Sequence, residues 1–310
     1  METKYTGRQV AILTDVHGLL EPLEAILEDI RRRGITEVFS LGDNIGEGPN
    51  PAEVVNLLEE NGVISIAGNA EEYVRLGLAP FPYVYGDKKA RSLWTLGKLG
   101  EQERGIIELY PHFIELTLGG QNIGLCHFAN DVRWDFGSHS TWTYQGGFDF
   151  SRTGRRLDPN AFQQFMVTNT KESQEEMDEI LERHSMEDPR IRGVLDARRD
   201  PLFGGKTMDF FDAIIQGHVH WKLYDPNDGE KRPSFYSIRA AGMAYREDRT
   251  DTASYVILRE KANHKGFDLE EILVTFDREK MVTTILNLTN PGDPIRKFAC
   301  ITPEETAKLR

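Results

Sequence analysis

Cysteine is scarce in this chain of 310 residues, which contains Cys126 and Cys300 and no other. Two cysteines are too few for a disulfide framework. No apolar run approaches the length that spans a bilayer, and the residues after Met1 lack the apolar stretch of a signal peptide. These absences predict a protein of the reducing cytoplasm without membrane association.

Positive charge is also in short supply, because 37 Lys and Arg face 50 Asp and Glu for a net charge of −13. Non-specific binding to nucleic acid depends on clustered Lys and Arg and is therefore not expected. A small phosphorylated substrate is compatible with this charge, since a site that holds two dications is locally positive. We expect such a substrate, with nucleotides among the candidates, and leave an oligomer open.

The N-terminal third alternates short apolar strands with amphipathic helices. Strands are predicted at 10–13, 37–41 and 63–66, and helices over 20–33 and from Pro51 to Gly62. Strand, helix and strand at this short spacing imply right-handed crossovers. The chain therefore begins with parallel strands of a layered sheet.

The remaining elements predict a hairpin and a second sheet. A helical stretch over 101–110 precedes strands at 113–118 and 121–127, which a Gly119-Gly120 turn joins as a hairpin. Short strands at 213–216, 222–224, 234–238, 253–259, 271–276 and 281–287 predict a second, largely antiparallel sheet. The expected fold is α/β, with two mixed β-sheets packed as a sandwich and flanked by helices.

We expect a single domain over 1–310, with an insertion over the active-site face at 128–205 and a C-terminal tail at 288–310. The insertion is rich in aromatic residues and carries four candidate substrate-binding residues, His139, Arg152, Arg155 and Arg156. Its aromatic rings could stack on a base while the arginines pair with phosphates. Alternatively, the segment is a small satellite core with a solvated basic loop.

Seven side chains with imidazole, carboxylate or amide groups follow predicted strands. They are Asp15, His17, Asp43, Asn69, His127, His218 and His220. Residues i and i+2 of an extended segment project to the same side, so Asp15 with His17, and His218 with His220, can each direct two ligands to one point. Ligands in open α/β sheets gather beyond the carboxyl ends of the strands.

These groups suit Mn, Fe, Zn or Ni, and the absence of thiolates among them argues against a structural zinc site. Glycines 42, 68 and 217 each precede a candidate ligand, as tight turns close to a metal require. Any single Asp-x-His or Gly-Asp pair is usually a cap or a turn, and His127 alone would more often be a core residue. The blocks in combination predict two metal ions, with Mn favoured.

The ordered blocks D-x-H, G-D, G-N, H and G-H-x-H resemble the signature of the calcineurin-like metallophosphoesterases, over roughly 8–127 and 207–260. The G-P-N-P stretch at 48–51 looks like that of the small bacterial and archaeal phosphodiesterase branch. The D-R-G triplet of the Ser/Thr protein phosphatases is missing.

The resemblance also implies a role for each ligand. One metal would be held by Asp15, His17 and His220, and the other by Asn69, His127 and His218. Asp43 would bridge both metals. We expect Asp43, Asn69 and His127 to carry catalysis.

Two departures from the family pattern bear on mechanism. The family's frequent G-N-H is here Gly68-Asn69-Ala70, so the imidazole that would protonate a leaving group is missing. His139 is a candidate replacement, against the alternative of a solvated surface histidine. Glu71 could orient a metal ligand or could be ordinary N-terminal helix charge. The second departure is that the phosphodiesterase branch's later N-P-G-S element is replaced by residues 240–243, Ala-Ala-Gly-Met.

The expected function is hydrolysis of a phosphodiester or nucleotide polyphosphate by a hydroxide that bridges two metals. One alternative is a metal-binding but catalytically weak regulatory or interaction module, which the missing acid and the large insertion favour. Another is a protein phosphatase, which the missing D-R-G triplet disfavours.

Overall fold

A computed structural model describes residues 8–78, 86–127, 129–130, 148–149, 155–156, 211–218, 220, 223–225, 234–242 and 251–298. Most of the expected insertion at 128–205, and the expected tail beyond residue 298, lie outside these residues.

Strands and short helices alternate along the first half of the described chain. In order they are β1 (Gln9–Leu13), α1 (Leu20–Arg32), β2 (Glu37–Ser40), α2 (Pro51–Glu60), β3 (Ile64–Ser65), α3 (Asn69–Leu76), α4 (Gly86–Lys98), α5 (Glu101–Glu108), β4 (Phe113–Leu118) and β5 (Gln121–Cys126).

Strands predominate in the second half. They are β6 (Ala129–Asn130), β7 (Phe148–Asp149), β8 (Arg155–Arg156), β9 (Ala213–Gln216), β10 (Leu223–Asp225), β11 (Ser234–Ser237), β12 (Thr252–Glu260) and β13 (Phe267–Thr275), followed by α6 (Arg278–Leu288) and α7 (Pro294–Phe298).

Two five-stranded mixed sheets form the body. The first has the order β13-β12-β1-β2-β3, with β1, β2 and β3 parallel and β12 antiparallel to β1. The second has the order β10-β11-β9-β5-β4, with β11, β9 and β5 parallel. Strands β6, β7 and β8 form a small third sheet.

The continuous apolar run of β1 is buried on both faces of the first sheet. Val10 and Ile12 pack between the two sheets, whereas Ala11 and Leu13 pack against the helical layer that contains α1. Successive strand residues point to opposite faces, so a strand that is buried on both sides reads as a continuous apolar run. The expected sandwich with flanking helices is confirmed.

The hairpin prediction is also confirmed, since β4 and β5 pair antiparallel across Gly119 and Gly120. The prediction of a second, largely antiparallel sheet built from the C-terminal strands is wrong. Strands β12 and β13 extend the first sheet, and two of the four pairings in the second sheet are parallel. Strand β12 pairs antiparallel with β1, so that β1 lies inside the first sheet, between β12 and β2.

The strand predicted at 281–287 is wrong as well, because these residues belong to α6. Asp277 caps this helix by accepting a hydrogen bond from the backbone N–H of Lys280 (2.8 Å). Met281, Val282 and Ile285 lie on one helical face and are buried against the α1 layer. Capping and burial therefore outweigh the strand preference of the β-branched residues.

The described part of the expected tail contains α7, in which Ile295 is fully buried. No helix within the described ranges is both long and apolar enough to cross a membrane.

Candidate metal centre

The candidate ligands lie where parallel strands end. Asp15 follows β1, Asp43 follows β2, His127 follows β5 and His218 follows β9. Backbone hydrogen bonds tie these ends together: the N–H of Asp15 donates to Gly42 (2.9 Å), and that of Gly217 donates to His127 (3.0 Å). Both sheets therefore deliver side chains to one edge of the sandwich.

The backbone at this edge is strained. Six non-glycine residues have positive φ among the residues that the structure describes, and five of them are candidate ligands. They are Asp15, His17, Asp43, His218 and His220, with φ between 51° and 65°. Left-handed conformations cost free energy in residues with a Cβ and cluster at functional sites.

Glycines allow the ligand loops to approach each other closely. A Cβ on Gly68 would overlap the Asp43 carboxylate, and one on Gly217 would overlap Thr14 and Asp15. The expected close turns at these positions are therefore present, and any larger residue would displace a candidate ligand.

The first ligand group contains Asp15, His17 and His220. Nε2 of His220 lies 3.0 Å from Nε2 of His17 and 3.1 Å from Oδ1 of Asp15. The other oxygen of Asp15 accepts hydrogen bonds from the Thr14 hydroxyl (2.6 Å) and the backbone N–H of His218 (2.9 Å). These bonds orient the carboxylate so that Oδ1 faces the two imidazoles.

The second group contains Asp43, His127 and His218, with Asn69 beside it. Nε2 of His127 lies 3.1 Å from Nδ1 of His218, 3.3 Å from Oδ1 of Asn69 and 3.6 Å from Oδ1 of Asp43. Nδ1 of His127 lies 2.8 Å from the Leu41 carbonyl. Donation to that carbonyl leaves the lone pair on Nε2, where a metal would bind.

The electrostatics of both groups fit bound cations. Burial and the neighbouring His220 imidazole lower the pKa of His17 to about 3, so this ring is neutral. Burial and the Asp15 carboxylate raise the pKa of Asp43 to about 7. Burial opposes ionisation of Asp15 as well, but the surrounding imidazoles hold its pKa low. Buried carboxylates beside neutral imidazole nitrogens are a donor set that divalent transition metals satisfy.

Glu71 connects the loops that carry the ligands. Its buried carboxylate accepts hydrogen bonds from the backbone N–H groups of Asp43 (2.9 Å), Asn44 (2.9 Å) and Gly68 (2.8 Å). The Gly68 bond caps α3, as ordinary N-terminal charge would. The other two bonds fix the loop after β2, which supports the alternative that Glu71 positions a metal ligand.

We expect Glu71→Gln to lower the free energy of unfolding of the metal-free protein by about 1–3 kcal/mol, because the amide nitrogen faces backbone donors and leaves at least one unsatisfied. Denaturant unfolding measures this loss. Glu53→Gln is the matched control, since Glu53 is an exposed residue in the first turn of α2. Equal stability of both variants would contradict the positioning role.

Four sequence predictions cannot be placed in this centre. His139 and Arg152 lie outside the described residues, and Arg155 and Arg156 form β8 without a description of their side chains. Conversely, sequence reasoning missed Lys88, which lines a pocket beside His17, Asp43 and Asn69. Its spacing with Ser92 and Thr95 on one helical face was the available signal.

Residues 240–242 contact the ligand loop through the backbone. The N–H of Ala241 donates to the Thr14 carbonyl (2.7 Å), and that of Gly242 to the Asp15 carbonyl (3.2 Å). A Cβ on Gly242 would overlap the Val16 carbonyl. This element therefore packs against the loop between Asp15 and His17.

Two mixed sheets gather imidazoles and carboxylates beyond their strand ends, in two groups that could each hold a metal ion. The model of the calcineurin-like phosphoesterase family matches residues 8–222, and the chain belongs to this family.

One sequence relative matches part of this chain. The chain is 33% identical over 118 residues to an uncharacterized protein of Methanocaldococcus jannaschii, a match that covers 38% of this chain and 48% of that protein. The chain thus spans about half the length of the curated relative that it matches.

Two solved structures share the fold across almost their whole length. A metallophosphoesterase from Sphaerobacter thermophilus has a TM-score of 0.53 at 20% identity, with 95% of this chain and 99% of that chain covered. A hypothetical protein from Pyrococcus horikoshii OT3 has a TM-score of 0.58 at 16% identity, with coverage of 94% and 97%.

Proposed function

We propose that this chain hydrolyses a phosphodiester or a nucleotide polyphosphate at a centre of two metal ions, with Mn preferred. The observation that carries the proposal is the pair of ligand groups at one edge of the sandwich, in which ligand atoms from both sheets lie within 4.8 Å of one another in each group. Family membership supports the same class of reaction.

The proposed roles follow the sequence prediction. Asp15, His17 and His220 would hold one ion, Asn69, His127 and His218 would hold the other, and Asp43 would serve both. Asp43, Asn69 and His127 are the proposed catalytic residues. Two bound cations would supply a hydroxide nucleophile at neutral pH and offset the charge on the phosphoryl oxygens.

Backbone groups and the Glu71 side chain maintain this arrangement. The Leu41 carbonyl orients the His127 ring, and the backbone N–H of Ala70 donates to Oδ1 of Asp43 (2.8 Å). Glu71 fixes the backbone of Asp43 and Gly68. Each group is thus held before a substrate arrives, which reduces the reorganisation that the reaction requires.

Purified protein that is stripped of metal and reconstituted with Mn should bind two ions per chain, as measured by elemental analysis. His17→Ala should lose one of the two, because it removes a ligand from the first group only. His264→Ala is the matched control: His264 also has positive φ (55°) but is exposed and paired with Glu260. Reconstituted protein that binds no metal would refute the centre.

A turnover panel tests the reaction itself. Metal-loaded protein is assayed on phosphodiesters, nucleotides and phosphomonoesters, and we expect the diesters and anhydrides to be cleaved fastest. Two bound ions without turnover would favour the regulatory module, and preference for phosphorylated proteins would favour the phosphatase. If the insertion, with His139, Arg152, Arg155 and Arg156, binds a nucleotide, then replacing Arg155 and Arg156 with alanine should raise KM for nucleotides and leave small aryl diesters nearly unchanged.

The proposed compartment is the cytoplasm. Cys126 is a buried free thiol, and burial raises its pKa, so it stays protonated. A reducing compartment suits such a thiol. Localisation of the tagged protein to an oxidising compartment would contradict this proposal.

A further inference from the structure

A pocket opens beside the metal ligands. Its lining includes His17, Asp43 and Asn69 together with residues of helix α4. Ala70 lies in the pocket lining as well, and its methyl group offers no polar atom. The polar groups that could contact a substrate here, apart from the ligands, therefore come mainly from α4 and the loop after β2.

Helix α4 is anchored to that loop by two polar contacts. The Thr95 hydroxyl donates to the Gly46 carbonyl (3.0 Å), and Nε of Arg91 lies 2.5 Å from a carboxylate oxygen of Glu47. Residues three, four and seven apart share one face of a helix. Lys88 therefore lies on the anchored face, one turn before Arg91 and two turns before Thr95.

Lys88 is the one lysine or arginine among the described residues that line the pocket. Its Nζ lies 5.7 Å from the centroid of the Tyr73 ring, and the Tyr73 hydroxyl lies 3.5 Å from Nδ2 of Asn69. The lysine is thus beside the second ligand group. On the same face of α4, Thr95 donates to Gly46 and the Ser92 hydroxyl donates to the Lys88 carbonyl (3.0 Å).

The charge of Lys88 fits an anionic substrate. Burial lowers its pKa to about 8, against the attraction of the Asp43 and Glu47 carboxylates, so the amine is still mostly protonated at pH 7. Burial also raises the pKa of Glu47, against the attraction of Arg91 and Lys88. An ammonium group in a partly buried pocket binds phosphoryl oxygens as a point charge.

We propose that Lys88 is a substrate-binding residue whose ammonium group donates hydrogen bonds to the phosphoryl oxygens of the substrate. This inference rests on the proposed phosphoesterase function and assigns a contact beyond the metal ligands. During hydrolysis an oxygen of water forms a new P–O bond as the P–O bond to the leaving group breaks. The leaving oxygen takes the bonding electron pair, and the protons of the water pass to the leaving oxygen or to solvent. Lys88 keeps its own proton and remains hydrogen-bonded to the phosphoryl oxygens. Its positive charge then stabilises the negative charge of the transition state and of the product.

The experiment compares Lys88→Met with Lys89→Met in Mn-loaded protein. Lys89 is the matched control because it is the next residue of α4 and is exposed outside the pocket. The dissociation constant of inorganic phosphate is measured by calorimetry, together with kcat/KM and metal content. We expect Lys88→Met to weaken phosphate binding about 10- to 100-fold, as loss of a charged hydrogen bond does, with both metals retained. Lys88→Arg should restore part of the affinity.

Other outcomes overturn the proposal. Phosphate affinity of Lys88→Met equal to that of Lys89→Met would show that Lys88 does not contact the anion. Loss of metal in Lys88→Met would show that the lysine serves the metal centre instead. Turnover by the wild type tests the proposed function separately. If phosphate binding depends on Lys88 but no ester is hydrolysed, the contact between Lys88 and the anion is supported and the phosphoesterase function is refuted.

Discussion

Replacing Asp43 with asparagine should abolish turnover and weaken the binding of both metal ions. Asp43 lies beside His127 and His218 in the second ligand group, and it interacts electrostatically with Asp15 and His220 of the first. An amide at this position removes the negative charge that two cations would share. Activity within about tenfold of wild type, a barrier change near 1.4 kcal/mol, would contradict the bridging role.

Loss of activity in this variant is expected without loss of folding. The asparagine oxygen can still accept the hydrogen bond from the Ala70 backbone N–H. Because Asp43 has a pKa raised to about 7, its ionisation destabilises the metal-free fold as the pH rises from about 4 through 7. Metal-free Asp43→Asn should therefore melt at least as high as metal-free wild type at pH 8.

Two further measurements sharpen this test. Mn should raise the melting temperature of wild type but not of the variant, since a ligand stabilises only the state that binds it. Asp268→Asn is the matched control, because the Asp268 side chain is 67% exposed and lies near Lys261 rather than the ligands. A variant that unfolds when metal-free would show that Asp43 has a structural role as well.

The strand ends at which most of the candidate ligands lie were predictable from the sequence, because apolar strands precede them. Asp15 lies two residues after β1, whose residues are buried on both faces. The short apolar run at 10–13 therefore predicted a buried strand. The left-handed backbone of His17 and His220 was not predictable, because neither residue favours positive φ in isolation. The surrounding structure imposes that conformation.

Long-range pairing accounts for most of what the sequence did not reveal. Nothing local in β12 shows that it pairs with β1 rather than with the strands that precede it. The run at 281–287 has strand-forming residues, and its helical state depends on packing against α1. The spacing of Lys88 with Ser92 and Thr95 places these residues on one helical face, but the position of that face in the site depends on contacts of α4 with Gly46 and Glu47.

Turnover should depend steeply on the leaving group, because position 70 carries a methyl group. Ala70 lines the pocket beside Asp43 and Asn69, where an imidazole would reach a departing oxygen. Lys88 is assigned to the phosphoryl oxygens and would not supply the missing proton. A positioned acid accelerates the cleavage of poor leaving groups by about 10²–10⁴-fold. Aryl diesters and anhydrides should therefore be cleaved faster than alkyl esters by at least this factor.

Ala70→His should reduce the difference in rate between aryl and alkyl substrates. The added imidazole can protonate an alkyl leaving group, whereas an aryl leaving group departs without a proton and gains little. The measurement is a plot of log kcat against leaving-group pKa for both proteins. Ala70→Phe is the matched control, because it fills the same space without a titratable nitrogen. A flat plot for the wild type would mean that another residue already supplies the proton. The activity of His139→Ala on alkyl esters would then show whether the histidine of the insertion is that residue.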